Sequence, residues 1–80
     1  MERTVLAFSV ARDRLGFSES RRAWPDDATP LAIAAELGGP GLAAEARAAW
    51  RVALDHEYAP WDAPIGGAAE IAFLPPVSGG

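Results

Sequence analysis

The sequence predicts an α+β domain, one sheet with a main helix laid across one face. Three observations lead there. Strand-length apolar runs stand at both ends of the chain, one well-capped helix lies between them, and eighty residues leave room for a single thin core. There is no cysteine, so neither a disulfide nor a thiolate metal centre supplements that core, and nothing points to an oxidising compartment.

The elements follow in order. In "RTVLAFSV" Val5 and Ala7 share one parity and Leu6, Phe8 and Val10 the other, which predicts a central strand over residues 3–10. "ARDRLG" gives a short helical turn that Gly16 can stop. "FSESRRAW" (17–24) reads as a second strand, closed by the turn "PDDA" and pairing with the first as its neighbour in sequence. Thr29-Pro30 starts a helix, because a threonine hydroxyl caps free N–H groups and proline suits the first helical position. That helix runs from Pro30 to Leu37 and ends at Gly38-Gly39-Pro40; alanine-rich 41–49 adds a second helical piece. "WRVALD" (50–55) alternates strictly and predicts a strand, "HEYAPWDAPIGGAA" a turn-rich bridge, and "EIAFL" (70–74) a last strand with Ile71 and Phe73 inward. Pro75 ends it by removing a ladder donor. The domain therefore covers residues 1–74 and a flexible tail residues 75–80.

A net charge of −4 argues against binding a phosphate backbone and favours a basic protein partner over nucleic acid. No run approaches the roughly 20 apolar residues of a membrane span, and the N-terminus lacks the pattern of a secretory signal, so a cytoplasmic protein is expected. All seven basic residues are arginine. GC-rich coding explains that bias; a chemical explanation is that a chain carrying an activated acyl group gains from presenting no lysine amine or cysteine thiol to its neighbours.

The tail "PPVSGG" carries the chemistry. Pro75-Pro76 launches the chain in a stiff extended form, and the six residues to Gly80 reach on the order of 20 Å. Gly79 and Gly80 lack Cβ atoms and can thread a narrow passage. A terminal carboxylate, ionised at neutral pH, is a poor electrophile until it is activated, most simply as an acyl-adenylate.

"VALDHEYAPWDAPI" followed by "EIAFLPPVSGG" resembles the molybdopterin synthase small subunits, ubiquitin-like sulfur carriers with a β-grasp fold. The resemblance implies that a ubiquitin-activator-like adenylyltransferase adenylates Gly80 using its own bound ATP. A persulfide donor then turns Gly80 into a thiocarboxylate, and the tail delivers sulfur to cyclic pyranopterin monophosphate inside the large synthase subunit. The partnership it implies is a heterotetramer, with no cofactor bound to this chain and no catalysis by the chain alone. Gly80 would carry the reactive group, with Gly79 giving it access through Pro75, Pro76, Val77 and Ser78. Phe8, Tyr58 and Leu74 would dock apolar surface beside the tail, with Arg12 as a polar neighbour. Sulfur delivery to thiamine, cysteine or tRNA, and conjugation as a protein modifier, use the same terminal activation and are alternatives. The chain departs from the family pattern at Asp55, where Asn is common, and at Gly66-Gly67-Ala68-Ala69, where an Asp-Gly-Asp type turn is.

Other candidates are weaker. His56, the only histidine, stands among acids in a turn and reads as solvated; no convergent ligands suggest a metal. Asp26-Asp27 reads as a turn pair, and the three tryptophans as core and rim anchors.

Overall fold

A computed structural model describes residues 1–76. The chain forms β1 (Glu2–Ala7), α1 (Val10–Leu15), β2 (Glu19–Ala23), α2 (Pro30–Ala49), β3 (Arg51–Leu54), β4 (Glu57–Ala59) and β5 (Glu70–Leu74). The strands make one mixed sheet in the order β2-β1-β5-β3-β4; β1 and β5 run parallel and every other pair antiparallel. This is the β-grasp arrangement, with α2 packed on one face.

The core lies between α2 and that face. Val5, Val52, Ile71 and Phe73 come from three strands and Ile33 from the helix, each at most 1% exposed. The inward placement of Ile71 and Phe73 agrees with the alternation of "EIAFL". Trp24 and Trp50 are buried at the margins, and Trp61 stacks on Phe73 with ring centroids 5.9 Å apart. Trp24 donates its indole N–H to Glu36 Oε2 at 2.8 Å and the half-buried Trp61 donates to the Trp50 carbonyl at 3.2 Å, so these two indoles keep their polar ends satisfied.

Three boundaries differ from expectation. β1 stops at Ala7 instead of Val10, because Ser9 turns to φ 54° and the Phe8 carbonyl accepts the Ala11 N–H at 3.0 Å, which starts α1. β2 is shorter than residues 17–24, with Phe17 and Trp24 turned toward the core at its ends. The expected bridge contains a further strand, β4, joined to β3 by the two-residue turn Asp55-His56. Both turn residues have positive φ, 49° and 72°, the backbone of a primed hairpin turn.

The start and break of α2 follow the sequence closely. Thr29 Oγ1 accepts the Ala32 N–H at 3.1 Å and Pro30 occupies the first turn. The helical run continues to Ala49, but Gly39, at φ 90° and ψ 166°, is not helical and divides it; Pro40 opens the second half. That combination of angles belongs almost exclusively to glycine. A Cβ at Gly39 would meet nothing within 4 Å, so backbone strain alone decides the effect of adding one. Gly39→Ala is expected to cost about 1–3 kcal/mol in urea unfolding. An unchanged midpoint would show that the kink relaxes freely.

Candidate docking face and tail root

β5 delivers the chain to the tail, and it is central, flanked by β1 and β3. Because strand side chains alternate, fixing Ile71 and Phe73 inward turns Ala72 and Leu74 to the face away from α2. Register then fills that face. Tyr58 stands opposite Ala53, Ala53 opposite Ala72, and Ala72 opposite Leu6, one row across four strands. In the next row Leu74 stands opposite Arg51, while the Phe8 N–H donates to the Phe73 carbonyl at 3.4 Å, which sets Phe8 at the end of β5.

The result is a shallow apolar groove lined by Leu6, Phe8, Ala53, Tyr58, Ala72 and Leu74, with His56 and Glu70 also on its wall. Alanines supply the floor, so larger neighbours stand above it. Phe8 is 47% exposed and Tyr58 69%, and Leu74 is half-buried. Two exposed aromatics beside one groove form the kind of surface that proteins use to bind proteins. Phe8 is thereby not a core aromatic, the alternative its strand parity left open.

Pro75 is buried and Pro76 exposed; with Ala49, Arg51, Tyr58 and Leu74 they line a second cleft at the root of the tail. Tyr58 and Leu74 belong to both clefts and form the ridge between them. Val77, Ser78, Gly79 and Gly80, the remaining tail residues singled out in the sequence, lie outside the described residues. Arg12 sits on α1, beyond the end of β1, with its side chain 60% exposed; it does not line the groove, and its near acid is the adjacent Asp13 at 4.0 Å.

His56 lies in the hairpin turn, its side chain 84% exposed, with Nδ1 3.5 Å from Glu70 Oε1. Among the described residues no group of three His, Asp or Glu converges on a point that could hold a metal ion. Asp55 ties the hairpin to β5, since its Oδ1 accepts the N–H groups of Ala69 and Glu70, each at 3.0 Å. Among the described residues no helix is long and apolar enough to cross a membrane.

Two features escaped the sequence reading. Arg51 reaches the tail root, a placement that the alternation of "RVAL" could have suggested by setting Arg51 with Ala53 on the outer face. Arg3 is buried on the same parity of β1 as Val5 and Ala7, a placement that the alternation could have suggested and its charge argued against.

Comparison with known proteins agrees with this architecture. The chain matches the ThiS family over residues 5–80. Among solved structures it is similar to SAMP1 from Haloferax volcanii, with TM-score 0.74, 25% identity and full coverage of both chains. It is similar to a Pyrococcus furiosus protein provisionally named molybdopterin converting factor, subunit 1, with TM-score 0.69 and 17% identity, over 96% of this chain and 99% of that one. A second structure, of H. volcanii small archaeal modifier protein 1, aligns with TM-score 0.70 and 22% identity over 95% of this chain and 98% of that one.

Proposed function

The chain belongs to the ThiS family of ubiquitin-like sulfur carriers, and on that footing we propose that it carries sulfur as a thiocarboxylate on Gly80 for molybdenum cofactor biosynthesis. The observation that carries the reading is the continuity of β5 with the tail. The strand that presents Leu74 to the exposed groove runs directly into Pro75-Pro76, so docking of the groove and delivery of the tail are one event. The family match extends to residue 80 and thus includes the Gly79-Gly80 pair.

In the proposed cycle an adenylyltransferase joins the Gly80 carboxylate to AMP, releasing pyrophosphate from its ATP. A persulfide sulfur displaces AMP, and thiol cleavage of the sulfur–sulfur link leaves the thiocarboxylate. The tail then enters the large subunit of molybdopterin synthase, where the sulfur passes to cyclic pyranopterin monophosphate and the carboxylate returns. Phe8, Tyr58 and Leu74 provide apolar docking area, Arg12 a polar contact, and Gly79 the slender approach. The working form is a heterotetramer with two small subunits on a large-subunit dimer, in the cytoplasm. The Pyrococcus likeness in name and fold supports this branch.

The decisive experiment is intact mass spectrometry after incubation with an adenylyltransferase of this type, ATP and a persulfide donor, followed by large subunit and precursor. One sulfur-for-oxygen exchange at Gly80, reversed as the dithiolene forms, is the expected result. A thiocarboxylate that never discharges to the precursor would redirect the protein to thiamine, cysteine or tRNA thiolation. The full-length likeness to an archaeal modifier protein favours a second reading, conjugation through Gly80 to lysines of other proteins. Isopeptide-linked products in cells would distinguish it.

A further inference from the structure

We infer that Arg51, held over the ring of Tyr58 at the root of the tail, selects partners that present a carboxylate beside the channel receiving the tail. The inference deepens the carrier reading and rests on it.

Three observations converge on Arg51. It stands opposite Leu74, the last residue of β5, so its side chain rises from the outer face where the tail departs. Its guanidinium carbon lies 5.1 Å from the centroid of the Tyr58 ring, a diagonal contact across the β3–β4 pair that favours this placement of a long, exposed side chain. Among the described residues no carboxylate lies within ion-pair distance of it, although most of the other arginines have one. Arg3 pairs with Asp26, Arg14 with Glu45, Arg21 with Glu2 and Arg47 with Asp62. In a chain with eleven acidic residues, a placed cation without an acid is a position left for an acid from elsewhere.

Charge distribution supports an acidic counterpart at this point. Asp26, Asp27, Asp55, Glu57 and Glu70 gather at the opposite end of the sheet, around the start of β5 and the β3–β4 turn. The net charge of −4 favours a basic partner for the molecule as a whole, but at physiological salt charges are screened beyond about 8 Å. Local sign therefore decides what sits against the tail root, and among the described residues there the unmatched charge is positive.

Docking geometry makes the preference selective. A partner that fills the groove covers the ridge of Tyr58 and Leu74, and so removes water from Arg51, which lines the cleft on the other side of that ridge. Desolvating an unpaired guanidinium is costly, and a facing carboxylate, bound through the planar fork, offsets it. Partners without the acid are penalised, which is how one apolar groove can discriminate between proteins of similar shape.

The test measures binding of the full chain to the adenylyltransferase that charges it in the mass experiment, for wild type, Arg51→Leu and Arg51→Glu, at low and physiological salt. Arg51→Glu is expected to raise Kd about 30-fold or more. Arg51→Leu should raise it less and flatten the salt dependence, with thermal unfolding unchanged in both. Charge reversal of the facing partner acid should restore binding to Arg51→Glu. Binding of Arg51→Glu within about twofold of wild type would overturn the inference while leaving carrier function intact. Wild type that is never charged would overturn the carrier reading, and this inference with it, before any variant is made.

Discussion

Arg3→Leu is expected to lower the free energy of unfolding by about 3–5 kcal/mol, the largest loss of any single substitution considered. The side chain is fully buried and uses all five of its N–H donors. Nε and Nη2 donate to the Trp24 carbonyl at 3.2 and 3.1 Å, Nη1 to the carbonyls of Gly66 and Ala68 at 2.6 and 2.8 Å, and Nη2 to Asp26 Oδ1 at 2.5 Å. One guanidinium thus joins β1 to the segment after β2 and to the loop before β5, adding to the backbone bonds by which Ile65 and Gly66 donate to the Ala28 and Asp26 carbonyls at 2.8 and 2.9 Å. Leucine would leave three carbonyls without this donor set, each costing about 1–3 kcal/mol if water cannot reach it. A domain of this size has roughly 4–12 kcal/mol in total, so the variant would stand close to unfolding at ordinary temperature.

Asp26 is the less critical member. Its side chain is 72% exposed while Arg3 is fully buried, so Asp26→Asn removes the acid facing a buried cation but keeps an Oδ1 that can accept from Nη2; it is expected to cost about 1–2 kcal/mol, less than Arg3→Leu. Arg3→Lys keeps the charge but replaces a planar fork by a point, which cannot reach the separated carbonyls together; it should fall between the two. Urea midpoints at constant slope measure all three. Arg3→Leu within 1 kcal/mol of wild type would mean that the loops find other partners, and the clamp would lose its significance.

What the sequence revealed and what it hid divide along the range of the interaction. The Thr29 cap, the break at Gly39-Pro40 and the inward parity of β5 depend on neighbours within a few residues, and all three were legible. β4 was not, because it has three residues and its turn is Asp-His; the familiar Asn-Gly or Asp-Gly signal is absent. The early end of β1 depends on a positive φ at Ser9, which serine does not advertise. Arg3 escaped because a charge on the parity of Val5 and Ala7 can be buried only with partners, and those lie between 21 and 65 residues away. The site shows the same split. Chemistry at the tail is written as a motif, whereas the docking face requires the registers of four strands before Phe8, Tyr58 and Leu74 come together. Arg51 joins them only once the β3–β4 hairpin is known.

The proposed carrier role predicts a second large effect, on activity with stability unchanged. Gly79→Val is expected to slow thiocarboxylate formation at Gly80 by about 100-fold or more, the penalty typical of reacting groups displaced by an ångström from their productive geometry. The substitution lies beyond Pro76, past the last strand among the described residues, and thermal unfolding is expected to match wild type. The physical reason is width: a residue next to the activated carboxylate must pass where its neighbour passes, and a branched Cβ enlarges the cross-section and removes backbone conformations open to glycine. Ser78→Ala, one residue farther back, removes a hydroxyl without adding bulk and should change the rate only slightly. The pair of variants separates access from hydrogen bonding, and binding of the uncharged carriers separates access from docking, since the groove is untouched in both. Equal charging of Gly79→Val and wild type would exclude a narrow channel and return the tail to a passive tether. A defect confined to charging, with docking intact, would place the selectivity of this carrier in two independent elements, the groove with Arg51 for choosing the partner and the glycine pair for reaching its active site.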